Sequence, residues 1–234
     1  MAHIVVVYYS AYGHVLQMAQ AAATGAAAVE GCTSKLVRIP EFAAVENRTP
    51  YLDSPARRRQ TQGEDGAVAL EETFNTQARF EKYEAALRQQ QHIPVATLDD
   101  LREADGIIWG FPTYYGCMPA QVKLFLDHAG ELCLNGDLEG KPTSVFTSTG
   151  SIHTGHEAAI LTAIVPLLHF GMIYVGMPYG DNPEYLTADP IGCSPYGAST
   201  LAGPDSGRYP DDRELAMMSR LAGRVAVIAS RLRQ

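Results

Sequence analysis

Residues 3–9, HIVVVYY, form an uninterrupted β-branched and aromatic run closed by Ser10, the pattern of a strand buried on both faces. Beyond Gly13, apolar positions recur at helical spacing through Leu16, Ala19, Ala23 and Ala26, with Gly31 as the stop. The same alternation predicts strands over residues 35–39, 106–110, 143–148 and 172–176. Helices are expected over 118–129, opened by Pro119, over 156–170 and over 211–233. Alternating β and α units imply a parallel sheet with right-handed crossovers and helices on both faces. Two stretches break this rhythm. Residues 41–94 are rich in Pro, Arg, Gln and Glu before a charged helix starting at Phe80, and residues 179–210 form a Gly- and Pro-rich excursion.

Composition narrows the class. The chain has 234 residues, 46% hydrophobic and 19% charged, which suits one folded α/β domain over residues 1–234 with an insertion at about 46–92 and a long loop at about 179–210. A net charge of −8 and scattered basic residues argue against nucleic acid as a partner. The run Arg57, Arg58 and Arg59 reads as a solvated charge cluster before it reads as a phosphate site. No segment reaches membrane-spanning length and no leader is evident at the start, so the expected location is cytoplasmic. Cys32, Cys117, Cys133 and Cys193 show neither metal nor redox spacing and are expected to be reduced thiols.

Three polar, turn-forming segments follow the first, third and fourth strands. They are Ser10, Ala11, Tyr12, Gly13, His14 and Val15; then Pro112, Thr113, Tyr114 and Tyr115; then Ser148, Thr149, Gly150, Ser151, Ile152 and His153. Five strands wound in the flavodoxin order 2-1-3-4-5, with a long insertion after strand 2, would bring all three to the crevice where the strand order reverses. The first segment suits a phosphate, because a hydroxyl, a glycine and a helix N-terminus combine there without any lysine. A capped helix would look the same. The second segment offers aromatic faces for a planar ring, and the third offers hydroxyls and amides. Neither Gly-x-x-x-x-Gly-Lys-Ser/Thr nor Gly-x-Gly-x-x-Gly occurs. By periodicity alone His169 is a histidine at a helix C-terminus.

Taken in order, YYSAYGH, GFPTYYG, KLFLDHAGEL, GKPTSVFTSTGSIHTGHE, LLHFGM and SPYGASTLAG resemble the WrbA-type NAD(P)H:quinone oxidoreductases over nearly the whole chain. The resemblance implies FMN, NADH or NADPH as hydride donor, a quinone or related small molecule as acceptor, and a homotetramer. It implies ping-pong, two-electron reduction through flavin N5, with no side chain nominated as catalytic. Ser10 to Val15 would take the phosphate side, the other two segments the ring and ribityl chain, and His169 would close the pocket. Tyr12 would face the nicotinamide. Departures concentrate at the substrate wall: Tyr114, Tyr115 and Cys117 replace the family's Arg, Phe and Asn, Cys133 replaces a substrate-shaping Trp, Phe170 a second His, and Cys193 a Gly. A flavodoxin-like electron carrier and a flavin-binding assembly protein are the alternative readings.

Overall fold

The computed structural model describes residues 1–41 and 76–233. Strand β1 (Ala2–Tyr8) is followed by α1 (His14–Ala27) and β2 (Cys32–Arg38). Beyond lie α2 (Thr76–Gln89), α3 (Leu98–Glu103), β3 (Gly106–Pro112), α4 (Ala120–His128), α5 (Gly130–Leu134) and β4 (Pro142–Thr149). The chain continues through α6 (His156–His169), β5 (Ile173–Tyr174), a short 3-10 turn (Pro183–Tyr185), β6 (Ala198–Leu201) and α7 (Asp212–Leu232). The expected insertion is therefore described only from Thr76 onward, and Arg57, Arg58 and Arg59 lie outside the described residues.

All the described strands are parallel, in the order β2-β1-β3-β4-β5. This is the flavodoxin-like α/β sheet expected from the alternation of elements. Side chains alternate across β1: Ile4, Val6 and Tyr8 join Ile108 and Phe146 against Met18 and Ala22 of α1 and Met217, Leu221 and Val225 of α7. Val5, Val7 and Tyr9 join Ile107, Trp109 and Phe111 on the other face, against Val122 and Leu126 of α4 and Ile160, Ala163 and Leu167 of α6. Both faces are covered, which explains the continuous apolar run of β1. Each fully buried Val, Leu or Ile contributes roughly 1.5–3 kcal/mol over an exposed one.

One edge departs from expectation. The fifth strand is two pieces: β5 pairs with Pro142 and Thr143, while β6 pairs with Phe146, Thr147, Ser148 and Thr149 farther along β4. Residues 198–201 were expected inside the loop at 179–210, and they instead complete the sheet edge. Their small polar side chains find partners outside the strand. Thr200 Oγ1 donates to Glu214 at 2.7 Å, and Cys193 N donates to Ser199 Oγ at 2.6 Å. Glu214, fully buried near the start of α7, also accepts from Gly192 N at 2.8 Å and Asp211 N at 2.8 Å and pairs with Arg208 at 3.2 Å. A buried carboxylate so fully engaged pins the excursion without an uncompensated charge.

Candidate functional site

The three loops beyond the carboxyl ends of β1, β3 and β4 meet at one cavity of about 340 Å³. Ser10 is buried, and its Oγ accepts from Gly13 N at 3.2 Å and Leu16 N at 3.3 Å, folding the turn onto the first turn of α1. Gly13 makes the turn possible with a φ of 91°, a conformation side chains disfavour. The first intrahelical bond runs from Gln17 N to Gly13 O, so the amides ahead of it point to the end of the helix and not along it. His14 Nε2 is buried with no partner among the described residues. Burial holds the His14 imidazole below the ordinary histidine range, although backbone groups of Arg208 and Ser206 oppose the shift.

The second loop is tied to β4, with Thr113 N donating to Ser148 O at 2.7 Å and the Thr113 and Thr147 hydroxyls 2.9 Å apart. Tyr114 and Cys117 then exchange backbone hydrogen bonds around Tyr115 and Gly116, both at positive φ. This tight turn throws Tyr115 fully into solvent. Thr154 staples the third loop, its hydroxyl 2.5 Å from that of Thr149 and accepting from Ser151 N at 2.9 Å.

Helix α2 supplies a wall that sequence reasoning missed. Arg79 lines the cavity with its guanidinium 5.6 Å from the Tyr12 ring centroid. Gln90 Nε2 donates to Ser10 O at 2.8 Å, and the Tyr83 hydroxyl donates to Glu41 at 3.0 Å. Glu41 also accepts from Tyr9 at 2.5 Å, which ties the helix to β1 beneath the cavity. Thr154, Ala202, Gly203, Pro204 and Ser206 complete the lining. Thr154 had a signal inside the GKPTSVFTSTGSIHTGHE segment, and Ala202 and Gly203 inside SPYGASTLAG; Pro204 and Ser206 had none.

Of the expected residues, Ser10, Ala11, Tyr12, His14, Val15, Pro112, Thr113, Tyr114, Ser148, Thr149, Gly150 and Ser151 line the cavity. Gly13 shapes it through the backbone. Tyr115, Ile152 and His153 belong to the same loops but are exposed and outside the lining. His169 and Cys133 are not among the lining residues. Cys133 Sγ donates to the His169 carbonyl at 3.5 Å, at the exposed end of α6, where the chain returns to pair Ile173 with Pro142 at the start of β4. The cavity lies at the other end of that strand, roughly 20 Å away at about 3.3 Å per residue. Within one chain, His169 does not close the pocket and Cys133 does not wall it.

Fold and site together define a mononucleotide-binding α/β protein of the flavodoxin kind, with a ligand crevice at the strand-order reversal. The chain belongs to the NADPH-dependent FMN reductase family, whose model matches residues 10–180. It is 42% identical over 233 residues to a protein of Trichlorobacter lovleyi named NAD(P)H dehydrogenase (quinone), covering 99% of both chains. A protein of the same name from Geobacter sulfurreducens is 39% identical, covering 98% of both. Among solved structures, a WrbA-like flavodoxin from Agrobacterium tumefaciens superposes over 99% of both chains with a TM-score of 0.59 at 19% identity. An archaeal flavodoxin covers 97% of this chain and 99% of its own with a TM-score of 0.55 at 18% identity. These two likenesses speak to the fold.

Proposed function

We propose that the cavity is the FMN site and that the nicotinamide donor and the quinone use it in turn. By its family and its full-length relatives, the chain is an FMN-dependent NAD(P)H:quinone oxidoreductase. The siting is carried by one observation: loops from three strands converge on a cavity whose described lining includes the N-terminus of α1 and contains no carboxylate. In a chain of net charge −8 that absence favours an anionic ligand. The unpartnered His14 Nε2 and the first-turn amides of α1 fit a phosphate, and the Thr113–Tyr114 and Thr149–Ser151 walls fit a planar ring and its polar chain.

Ser10, Gly13, His14 and Val15 would hold the phosphate end. Thr113, Tyr114, Thr149, Gly150 and Ser151 would hold the ring and ribityl chain, with Pro112 and Ala11 excluding water beneath. Bound FMN supplies the hydride-accepting and electron-donating chemistry that none of these side chains possesses. Their work is orientation and desolvation. The lining offers no activated nucleophile, and protons for the reduced quinone come from solvent at the mouth. Tyr12 stands where a nicotinamide would enter. The donor and the quinone would take turns at the exposed face of the bound flavin, the donor leaving before the quinone binds.

The resemblance to the WrbA-type enzymes extends this proposal to a cytoplasmic homotetramer. No described helix is long and apolar enough to cross a membrane. Initial rates of anaerobic NADH and NADPH oxidation by FMN-loaded protein, across a matrix of benzoquinone concentrations, test the mechanism. Parallel double-reciprocal lines are expected. Tightly held FMN without protein-dependent oxidation of either nucleotide would move the assignment to a one-electron carrier or a flavin-binding assembly protein.

A further inference from the structure

Arg79 is the one lining residue, among those described, with a permanent positive charge. It is half-buried on α2, against the face of Tyr12, and its Nη1 donates to Pro204 O at 3.5 Å. A turn farther along α2, Lys82 donates to Asp205 O at 2.9 Å and lies 3.9 Å from the Asp205 carboxylate. Lys82 fastens the wall, and the Arg79 guanidinium lines the cavity with its Cζ over the Tyr12 ring. At the phosphate end the neutral donors are the Ser10 hydroxyl and the first amides of α1 that Ser10 does not already engage, and a helix N-terminus needs no side-chain cation there. The incoming donor presents a different problem. A nicotinamide dinucleotide is a polyanion approaching a chain of net charge −8, and the described lining offers it no other fixed positive charge.

Building on the oxidoreductase reading, we propose that Arg79 is the residue that recognises the phosphate groups of the nicotinamide nucleotide. Its guanidinium gives paired, parallel N–H donors to phosphate oxygens, and packing on Tyr12 orients that fork before the ligand arrives. Tyr12 thus acts twice, as a surface for the nicotinamide end and as the support for the cation. The quinone, which carries no phosphate, gains nothing from Arg79.

The test compares Arg79→Ala, Arg79→Lys and Lys82→Ala in FMN-loaded protein. Arg79→Ala is expected to raise the donor KM by about ten- to hundredfold, the range for losing a hydrogen bond to a charged group, with kcat and the benzoquinone KM unchanged. It should also flatten the rise of donor KM with salt, a readout that a purely structural role would leave in place. Arg79→Lys should recover part of the loss, and Lys82→Ala should keep the wild-type salt response. FMN affinity, read from flavin fluorescence quenching in the apoprotein, should stay within about threefold of wild type in the alanine variant, well short of that same loss. A wild-type donor KM and salt response in Arg79→Ala overturns the assignment, as does a lost FMN affinity with an unchanged donor KM. Calorimetric titration of NADP⁺ into the loaded proteins reads the same difference without turnover. An inactive wild type would therefore overturn the oxidoreductase reading while binding still decides the role of Arg79.

Discussion

Gly13 concentrates the local demands of the site. Its φ of 91° sets the turn that lets Ser10 Oγ reach two amides, yet a Cβ there would meet nothing nearer than Gln89 Oε1 at 4.0 Å. The obstacle to a side chain is thus conformational and not steric crowding, at about 1–2 kcal/mol for an ordinary residue. Asn tolerates this region better than Ala. The expected order of FMN affinity is wild type, then Gly13→Asn, then Gly13→Ala, with the alanine variant weaker by about tenfold. Fluorescence titration of the apoproteins measures it, and equal affinities for Ala and wild type would show that the turn does not form the phosphate end. The sequence pointed to this residue because a glycine between a strand and a helix has few other uses. It was silent on Arg79, which sits in a charged helix with no local motif and reaches the cavity only because Gln90 and Tyr83 dock that helix on β1 and its loop. Cys193 is the converse case: it occupies a position where the resembled family has Gly, and it keeps the positive φ of 73°.

Among elements, legibility followed burial pattern. β1, β3 and β4 were readable because both of their faces are covered, so apolar residues run on without interruption. β6 was not, because ASTL lacks that run and owes its place to polar contacts with Cys193 and Glu214, which no apolar period signals. The short helices α3 and α5 likewise went unread, being one or two turns long with too few apolar positions to set a period. α1 was predicted from its alanines, and the structure shows why they are small. Helices α1 and α7 cross so closely that a Cβ on Gly25 would lie 2.2 Å from Ser219 O, a backbone atom that cannot swing aside. Gly25→Ala should therefore separate the pair and cost about 1–3 kcal/mol by overpacking. In a domain of this size that corresponds to a Tm lower by about 2–12 °C. Calorimetry of the apoprotein would check it, and FMN affinity should move little, since the contact lies away from the cavity. An unchanged Tm would mean that α7 is held less tightly than its geometry implies.

For the whole molecule, the electrostatics that suit an anion also fix the response to acid. His14 opens α1 and His156 opens α6, each the first residue of a helix that follows a strand of the cavity. Burial holds both imidazoles below the ordinary value of 6.5, and the positive end of a helix disfavours their protonation further. When the chain unfolds, both return to ordinary titration, so near pH 6 the unfolded state binds more protons than the folded one. Stability is then fully present above about pH 6.5 and is lost as the pH falls from there toward the depressed folded values. The carboxylates held below their ordinary range act later. Asp100, whose burial is outweighed by hydrogen bonds from Lys35 and Thr97, and Asp211, hydrogen-bonded by Arg213, stabilise the fold at higher pH and lose that contribution only as the pH drops below about 3.8. One effect opposes the histidines, because acid brings a chain of net charge −8 toward neutrality and relaxes its self-repulsion. That repulsion acts between exposed charges and is screened beyond about 8 Å at physiological salt, whereas the two histidines are sheltered. The apoprotein Tm is therefore expected to fall between pH 7.5 and 5.5, by about 2–4 °C for each kcal/mol lost. In the double variant His14→Gln/His156→Gln the slope over this interval should flatten or reverse. A wild-type Tm that rises steadily toward pH 5.5 would show that net charge, and not the two helix-opening histidines, governs stability there.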